Sequence, residues 1–494
     1  MSSYSAIPVN GDAPRIGRRR AKSSLKDQHF AGQASWISSN INLVNTIVGA
    51  GTLAMPLAMS HMGIVLGTVV ILWAGTTAAF GLYLQSRCAR YLERGTASFF
   101  ALSQITYPNA AVLFDAAIAI KCFGVGVSYL IIIGDLMPGV VRGFNPDADA
   151  VPFLVDRHFW VTAFMLVVIP LSFLRRLDSL KYTSVVALMS ISYLVVLVVY
   201  HFGKGDTKAD RGVIRVVKWA SLTATLQSFP VIVFAYTCHQ NMFSILNEIK
   251  DNSPRRTTGV IVGSIGSAAS VYVLVAITGY LSFGNAVQGN IVGMYIPSVA
   301  STIAKAAIVI LVMFSYPLQV HPCRASVDAV LRWQPNSFKR TGNSPGNSPS
   351  RSALLPSQSQ PSARNDSIGE MRFAIITTCI IILSYIAAMT VSSLDKVLAY
   401  VGSTGSTSIS FILPGLFYYK ISAPDSPLHQ RLPKEDDEDS DDEEGGRGGL
   451  LSQGLGSAWR KTILRKLSLA LAIYGICVMI VCLGINIFFT TVAH

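Results

Sequence analysis

Charge is what this chain has little of. Only 14% of its 494 residues are Asp, Glu, Lys or Arg, against roughly 25% in a soluble domain. Hydrophobic residues make up 51%, and the mean hydropathy is +0.46. Such a chain cannot cover a soluble surface, which excludes a soluble enzyme. It also argues against a nucleic-acid partner, despite a formal net charge of +13. In a membrane protein, basic excess marks loops that face anionic lipid. Cysteine is sparse as well. Seven are scattered through apolar runs, without the spacing of a disulfide framework or a metal site, so they read as buried free thiols. No phosphate-binding loop, metal-hydrolase helix or nucleophile elbow is present. Enzyme chemistry therefore has no footing, and no cofactor is implied. The first residues are polar and basic without an early apolar core, so no cleavable signal peptide is expected.

Long apolar runs fill most of the chain. They fall at about 37–59, 62–85, 111–139, 159–174, 182–202, 221–246, 258–283, 297–319, 372–392, 396–418 and 464–490, close to the ~20 residues that cross a bilayer as a helix. The pattern predicts an all-α integral membrane protein with about eleven transmembrane helices. Residues 1–35 carry Arg15, Arg18, Arg19, Arg20, Lys22 and Lys26 and read as a disordered cytoplasmic tail. Helices 1–8 occupy 36–334, helices 9–10 occupy 371–420, and helix 11 with the C-terminus occupies 463–494. Between them lie 335–370, rich in Ser, Pro, Asn and Gln, and 421–462, with an acidic run from Glu435 to Glu444 and then a glycine patch. Neither can bury a core, so both are predicted to be disordered linkers, either solvated spacers or contact points for cytoplasmic regulators.

Lys and Arg in short loops set the orientation. Arg87, Arg90 and Arg94 follow the second run, Arg175, Arg176 and Lys181 the fourth, and Lys250, Arg255 and Arg256 the sixth. All fall on the side of the tail, which puts the N-terminus in the cytoplasm. An odd number of crossings puts His494 on the lumenal side. One loop disagrees: 203–219 holds Lys204, Lys208, Arg211, Arg215 and Lys218 yet faces the other way. The sequon Asn365-Asp366-Ser367 falls on the cytoplasmic side and would go unmodified there.

The first run contains Asn45-Thr46-Ile47-Val48-Gly49-Ala50-Gly51-Thr52, with Pro56 a turn later. Glycine and proline weaken a helix, and lipid has no water to satisfy freed backbone groups. A helix that opens here needs another partner for its loose ends. A new half-helix from about Thr52 would aim unpaired amides and a positive dipole end at an anion. The preceding half ends in carbonyls suited to a cation, and Asn42 and Asn45 share its face. An α-amino acid presents both charges at one carbon. Close helix packing through small residues accounts for the same glycines. The sixth run, 221–246, turns polar midway, with Thr237, His239, Gln240 and Asn241. Polar groups at that depth face a cavity or the protein interior. His239 either exchanges protons or makes a structural hydrogen bond. Interrupted helices at matching places in two halves point to a transporter site.

Lys121 lies some eleven residues into the third run, ~16 Å deep at ~1.5 Å per residue. It is either a fixed cation or proton carrier, or a lysine that snorkels to the interface. Asp135 reads as interfacial and Asp395 as a helix cap. Ser315, before Tyr316 and Pro317, either coordinates a small cation or bonds its own backbone. The segment Gly402 to Ser408 reads as close helix packing.

Four segments, 42–63, 121–138, 229–249 and 314–324, resemble the amino acid/auxin permease family, in particular fungal vacuolar amino-acid transporters of the AVT type. The likeness runs from about Ala34 to Thr490 outside the linkers and extends to animal sodium-coupled neutral amino-acid transporters. It implies a five-plus-five inverted repeat with discontinuous helices 1 and 6, plus one extra helix. It implies substrate binding by Thr46, Val48, Gly49, Ala50, Gly51, Thr52, Phe234, Ala235, Tyr236 and Thr237. Ion or proton coupling would fall to Asn45, Lys121, His239 and Ser315. Asn45 matches a sodium-binding asparagine of the sodium-coupled relatives. Ser315 stands where they carry threonine. The expectation is a secondary transporter of neutral amino acids in the vacuolar membrane, moving them from lumen to cytosol with protons. A sodium-coupled transporter of another membrane and an amino-acid sensor are the alternatives. An ion channel is disfavoured, because no pore loop or charged ring is visible.

Overall fold

The computed structural model describes residues 32–145, 147–174, 183–332, 369–423 and 450–492. Nearly all of the basic tail, the turn 175–181, most of both linkers and the sequon lie outside the described residues. Among those described, the fold is helical apart from one parallel bridge between Ala34 and Ile249.

Ser35 opens α1 (Trp36–Ile47) by accepting the Ser38 amide at 3.2 Å. Val48 then turns extended and ends it. The second half, α2 (Gly51–Met62), departs at 58° to α1. It starts at Gly51, one residue before the expected Thr52. Then come α3 (Ile64–Ala89), the short α4 (Phe99–Thr106), α5 (Ala111–Phe144), α6 (Arg157–Ser172) and α7 (Thr183–Lys204). Asp156 caps α6. The His158 amide does most to hold its carboxyl below the usual range, with the Phe159 amide adding to it.

The sixth run is also broken. Its halves are α8 (Leu222–Ala235) and α9 (His239–Glu248). The chain leaves the helix after Ala235, tightens where the Thr237 amide reaches back to the Phe234 carbonyl at 3.0 Å, and re-enters a helix after Cys238. It continues through α10 (Pro254–Phe283), α11 (Val299–Leu331) and α12 (Glu370–Thr390). Next, α13 (Leu394–Val401) passes through two π-helical stretches, Gly402–Ser406 and Ser408–Ile412, into α14 (Leu413–Ile421). The last helix, α15, spans Leu450–Val492 and so begins inside the stretch read as linker.

Seven described helices are long and apolar enough to cross a bilayer, eight when α1 and α2 count as one bent crossing. The sequence leads to an expectation of about eleven, so three of the expected crossings do not meet this measure. The shortfall has identifiable causes: α6 has 16 residues, α8 and α9 are split, and α13–α14 is interrupted by π turns.

The long helices α5 and α11 pack against each other over much of their length. Small residues permit this. A Cβ on Gly126 would stand 3.3 Å from the Tyr316 ring, and one on Gly139 3.1 Å from the Lys305 side chain. The small polar segment 402–408 serves the same end. A Cβ on Gly405 would lie 2.8 Å from the Lys121 Cβ, and Gly402 abuts the Pro230 carbonyl.

Candidate functional site

The two breaks lie against each other. A Cβ on Gly51 would meet the Ala235 Cβ at 2.6 Å, so glycine is required there for close approach; its φ is not positive. Among the described residues, the amides of Gly49, Ala50 and Gly51 and the carbonyls of Asn45, Thr46 and Val48 make no backbone hydrogen bond. At the second break the same holds for the amides of His239 and Gln240 and the carbonyls of Tyr236 and Thr237. Each break thus offers a donor end and an acceptor end side by side.

Two of the loose carbonyls are already taken. The Tyr272 hydroxyl on α10 lies 2.6 Å from the Ile47 carbonyl and 2.8 Å from that of Ala235. These carbonyls end α1 and α8, and one buried hydroxyl ties both to a third helix. Sequence reasoning missed this residue, because a lone tyrosine in an apolar run gives no signal of its target. Other bonds join α9 to α1 and to the chain just before it. Asn241 on α9 donates to the Thr46 hydroxyl of α1 at 3.0 Å. The Ala34 amide donates to the Glu248 carbonyl at 2.9 Å, and the Lys250 amide to the Ala34 carbonyl at 3.0 Å.

A cavity of about 470 Å³ opens between the breaks, within the range of small-ligand sites. Eleven of the fourteen sequence-derived site residues line it: Asn45, Thr46, Val48, Gly49, Ala50, Gly51, Lys121, Phe234, Ala235, Thr237 and Ser315. Three do not. Thr52 is buried beyond the cavity wall. Tyr236 turns its ring edge-on to Tyr272 at 5.1 Å. His239 is fully buried with Nε2 3.2 Å from the Ala78 carbonyl, the structural hydrogen bond of the two accounts.

Lys121 is 5% exposed and faces the cavity from the first third of α5, so it does not snorkel. Val125 and Tyr129 extend its stripe at helical spacing, with Cys122 beside it; following that spacing from Lys121 would have found the first two. On α11, Ser315 donates to its own helix at the Leu311 carbonyl, 2.7 Å away, while Gln319 adds a polar group one turn on. Asn42, Gln240, Asn241 and Ser244 carry the lining toward the end of the bundle where α1 begins. Asn42, Asn241 and Ser244 are exposed toward that end, and Gln240 is half-buried. Asp135 and Asp395 stand apart from the lining. Asp135 lies 3.9 Å from Arg157. Asp395 sits in the first turn of α13, two residues past the Ser393 cap position, whose side chain makes no cap bond.

Residues 32–436 match the family described as transmembrane amino acid transporter protein. Vacuolar amino acid transporter 5 of Schizosaccharomyces pombe is 42% identical over 462 residues, covering 93% of this chain and 96% of that protein. Vacuolar amino acid transporter 5 of Saccharomyces cerevisiae is 37% identical over 481 residues, covering 92% and 99%. Among solved structures, the inward facing conformation of Mhp1 superposes with a TM-score of 0.53 at 10% identity, covering 94% of this chain and 92% of that one. That likeness concerns the fold alone.

Proposed function

The chain belongs to the transmembrane amino acid transporter family, and from that membership we propose that it is a secondary active transporter moving neutral amino acids out of the vacuolar lumen with protons. The observation that carries this reading is the meeting of two interrupted helices around one cavity, each supplying free amides beside free carbonyls. The substrate carboxylate is held by the Gly49, Ala50 and Gly51 amides at the positive end of α2. Its ammonium is held by the carbonyls of Asn45, Thr46 and Val48 and, across the cavity, by Thr237. An ester or amide at either end loses one of these partners.

The remaining parts fit alternating access. Counting the α8–α9 pair, α6 and the π-interrupted α13–α14 as crossings adds to the eight spans and makes the expected eleven. We read the first ten as a five-plus-five inverted repeat: breaks fall in the first and sixth crossings, and the third and eighth, α5 and α11, form the central pair. The tail and both linkers then lie in the cytoplasm, open to regulators. The cavity opens toward the end where α1 begins, which is the cytoplasmic side in this orientation. Lys121, Asn45 and Ser315 are the coupling residues of this reading. His239 is left out of it, because its ring faces away from the cavity.

Purified protein reconstituted in liposomes tests the proposal. An imposed proton gradient is expected to drive accumulation of a neutral amino acid, and a protonophore to abolish it. Accumulation driven by sodium alone overturns proton coupling. Failure with both gradients across all neutral amino acids overturns the transport reading.

A further inference from the structure

The basic loop that contradicts the orientation rule has a defined place in the structure. Over 203–219 it carries five basic residues against Asp206 and Asp210. Asp206 is engaged by His201 at 2.8 Å and Lys204 at 3.3 Å, contacts that outweigh its burial and hold its carboxyl below the usual range. From Gly212 to Ala220 the chain runs as a strap across the α2–α3 turn and the end of α10. The Gly212 amide donates to Phe283 at 2.8 Å, and the Asn285 amide to Val213 at 3.1 Å. The amides of Ile64 and Val65 donate to Arg215 and Val216 at 3.2 and 3.0 Å, and the Ala220 amide to His61 at 2.9 Å. Gly63, at φ 76°, leaves room for this; a Cβ there would strike the Lys218 carbonyl at 2.7 Å. Arg215 is committed to the protein, its guanidinium reaching Ser60 and Asn285 at 3.4 and 3.2 Å.

The rest of the strap faces outward. Val213 is 72% exposed, Val217 75% and Trp219 48%, with Val216 also exposed. Lys208, Arg211 and Lys218 are exposed beside them. Apolar side chains held this far out are unfavourable in water. Here they continue an existing apolar face. Val216 is bonded to Val65, and Val65, Val69, Leu72 and Trp73 form an exposed stripe at helical spacing down α3. On a membrane-spanning helix that stripe meets lipid. The strap therefore lies where the stripe ends, at headgroup depth, the level favoured by tryptophan and by lysine and arginine with buried stems.

We propose that this strap is an interfacial anchor whose Lys208, Arg211 and Lys218 bind the headgroups of anionic phospholipids in the leaflet opposite the end where α1 begins. The positive charge of the loop then serves lipid recognition, and three basic loops can set the orientation against it without contradiction.

Full-length protein in nanodiscs of mixed phosphatidylcholine and phosphatidylglycerol, released intact for native mass spectrometry, tests this by counting retained lipids. The Lys208→Gln/Arg211→Gln/Lys218→Gln protein is expected to retain fewer phosphatidylglycerol molecules than the unsubstituted protein, with affinity falling about five-fold per charge removed. Phosphatidylcholine retention is expected to be unchanged. Equal phosphatidylglycerol retention by the two proteins overturns the proposal, and so does a parallel loss of both lipids. Should the triple variant fail to fold, Arg211→Gln/Lys218→Gln gives the same comparison with a smaller perturbation and the same criteria.

Discussion

Tyr272 and Lys121 show how much one side chain decides here. The Tyr272 hydroxyl has a single proton, yet it lies between the last carbonyls of α1 and α8. Substituting Tyr272→Phe leaves the ring packing in place and strands both carbonyls, a loss of about 1–3 kcal/mol. The expected outcome is a lower thermal midpoint and a raised KM for substrate, because the freed carbonyls compete for the site; thermal shift and uptake assays measure both. A lowered midpoint with unchanged KM would assign the residue to stability alone. Lys121 poses a different question. It is buried at the cavity wall, and Gly405 fits its main chain closely. Lys121→Met keeps the volume and removes the charge. It is expected to abolish proton-driven accumulation while substrate exchange across the liposome membrane continues. Accumulation that persists at the original level would remove Lys121 from the coupling step.

At the scale of elements, the two breaks were legible to different degrees. Gly49 and Gly51 announced the first, because few other residues weaken a membrane helix so directly. Only the polar turn of the sequence at Thr237 pointed to the second. The two glycines also differ in what the structure asks of them. A Cβ on Gly51 collides with Ala235, whereas one on Gly49 meets nothing within 4 Å. Gly51→Ala is therefore expected to force α2 and α8 apart, at about 1–3 kcal/mol, and to reduce transport at least ten-fold. Gly49→Ala is expected to retain most activity. Uptake assays on the matched pair separate close approach from helix weakening: equal loss in both variants would mean that flexibility alone matters. Pro56 and Pro230 lie inside α2 and α8, and each removes an interior hydrogen bond of its helix.

Across the whole molecule, the bonds sort the half-helices into pairs. Thr46 with Asn241 and Ala34 with Glu248 join α1 to α9, and Gly51 against Ala235 joins α2 to α8. Tyr272 adds a link between the two pairs, through the last carbonyls of α1 and α8. In the conformation described, Ser244 lies on the exposed path from the cavity to the end where α1 begins. A cysteine at Ser244 is expected to react with a membrane-impermeant thiol reagent added from the cytoplasmic side, and saturating substrate is expected to slow that reaction. Labelling from the lumenal face alone would reverse the proposed orientation. The native Cys379 and Cys477 are also exposed, so the measurement compares the variant with the unsubstituted protein.

The sequence by itself determined the solvent of this protein, since a chain with so few charges and such long apolar runs can be stable only in lipid. It also marked the first break, the buried lysine and the family. Those signals are local, carried by composition and by the spacing of neighbouring residues along one helix. Only the tertiary structure decided which residues share the cavity and which turn away, as His239 does. It alone brought Tyr272 to two carbonyls, one of them 225 residues distant, and laid a basic loop across the turn between α2 and α3. Such relations join positions that are remote in the chain. No local periodicity encodes them, because they arise only when packed helices bring distant backbone groups within hydrogen-bonding reach.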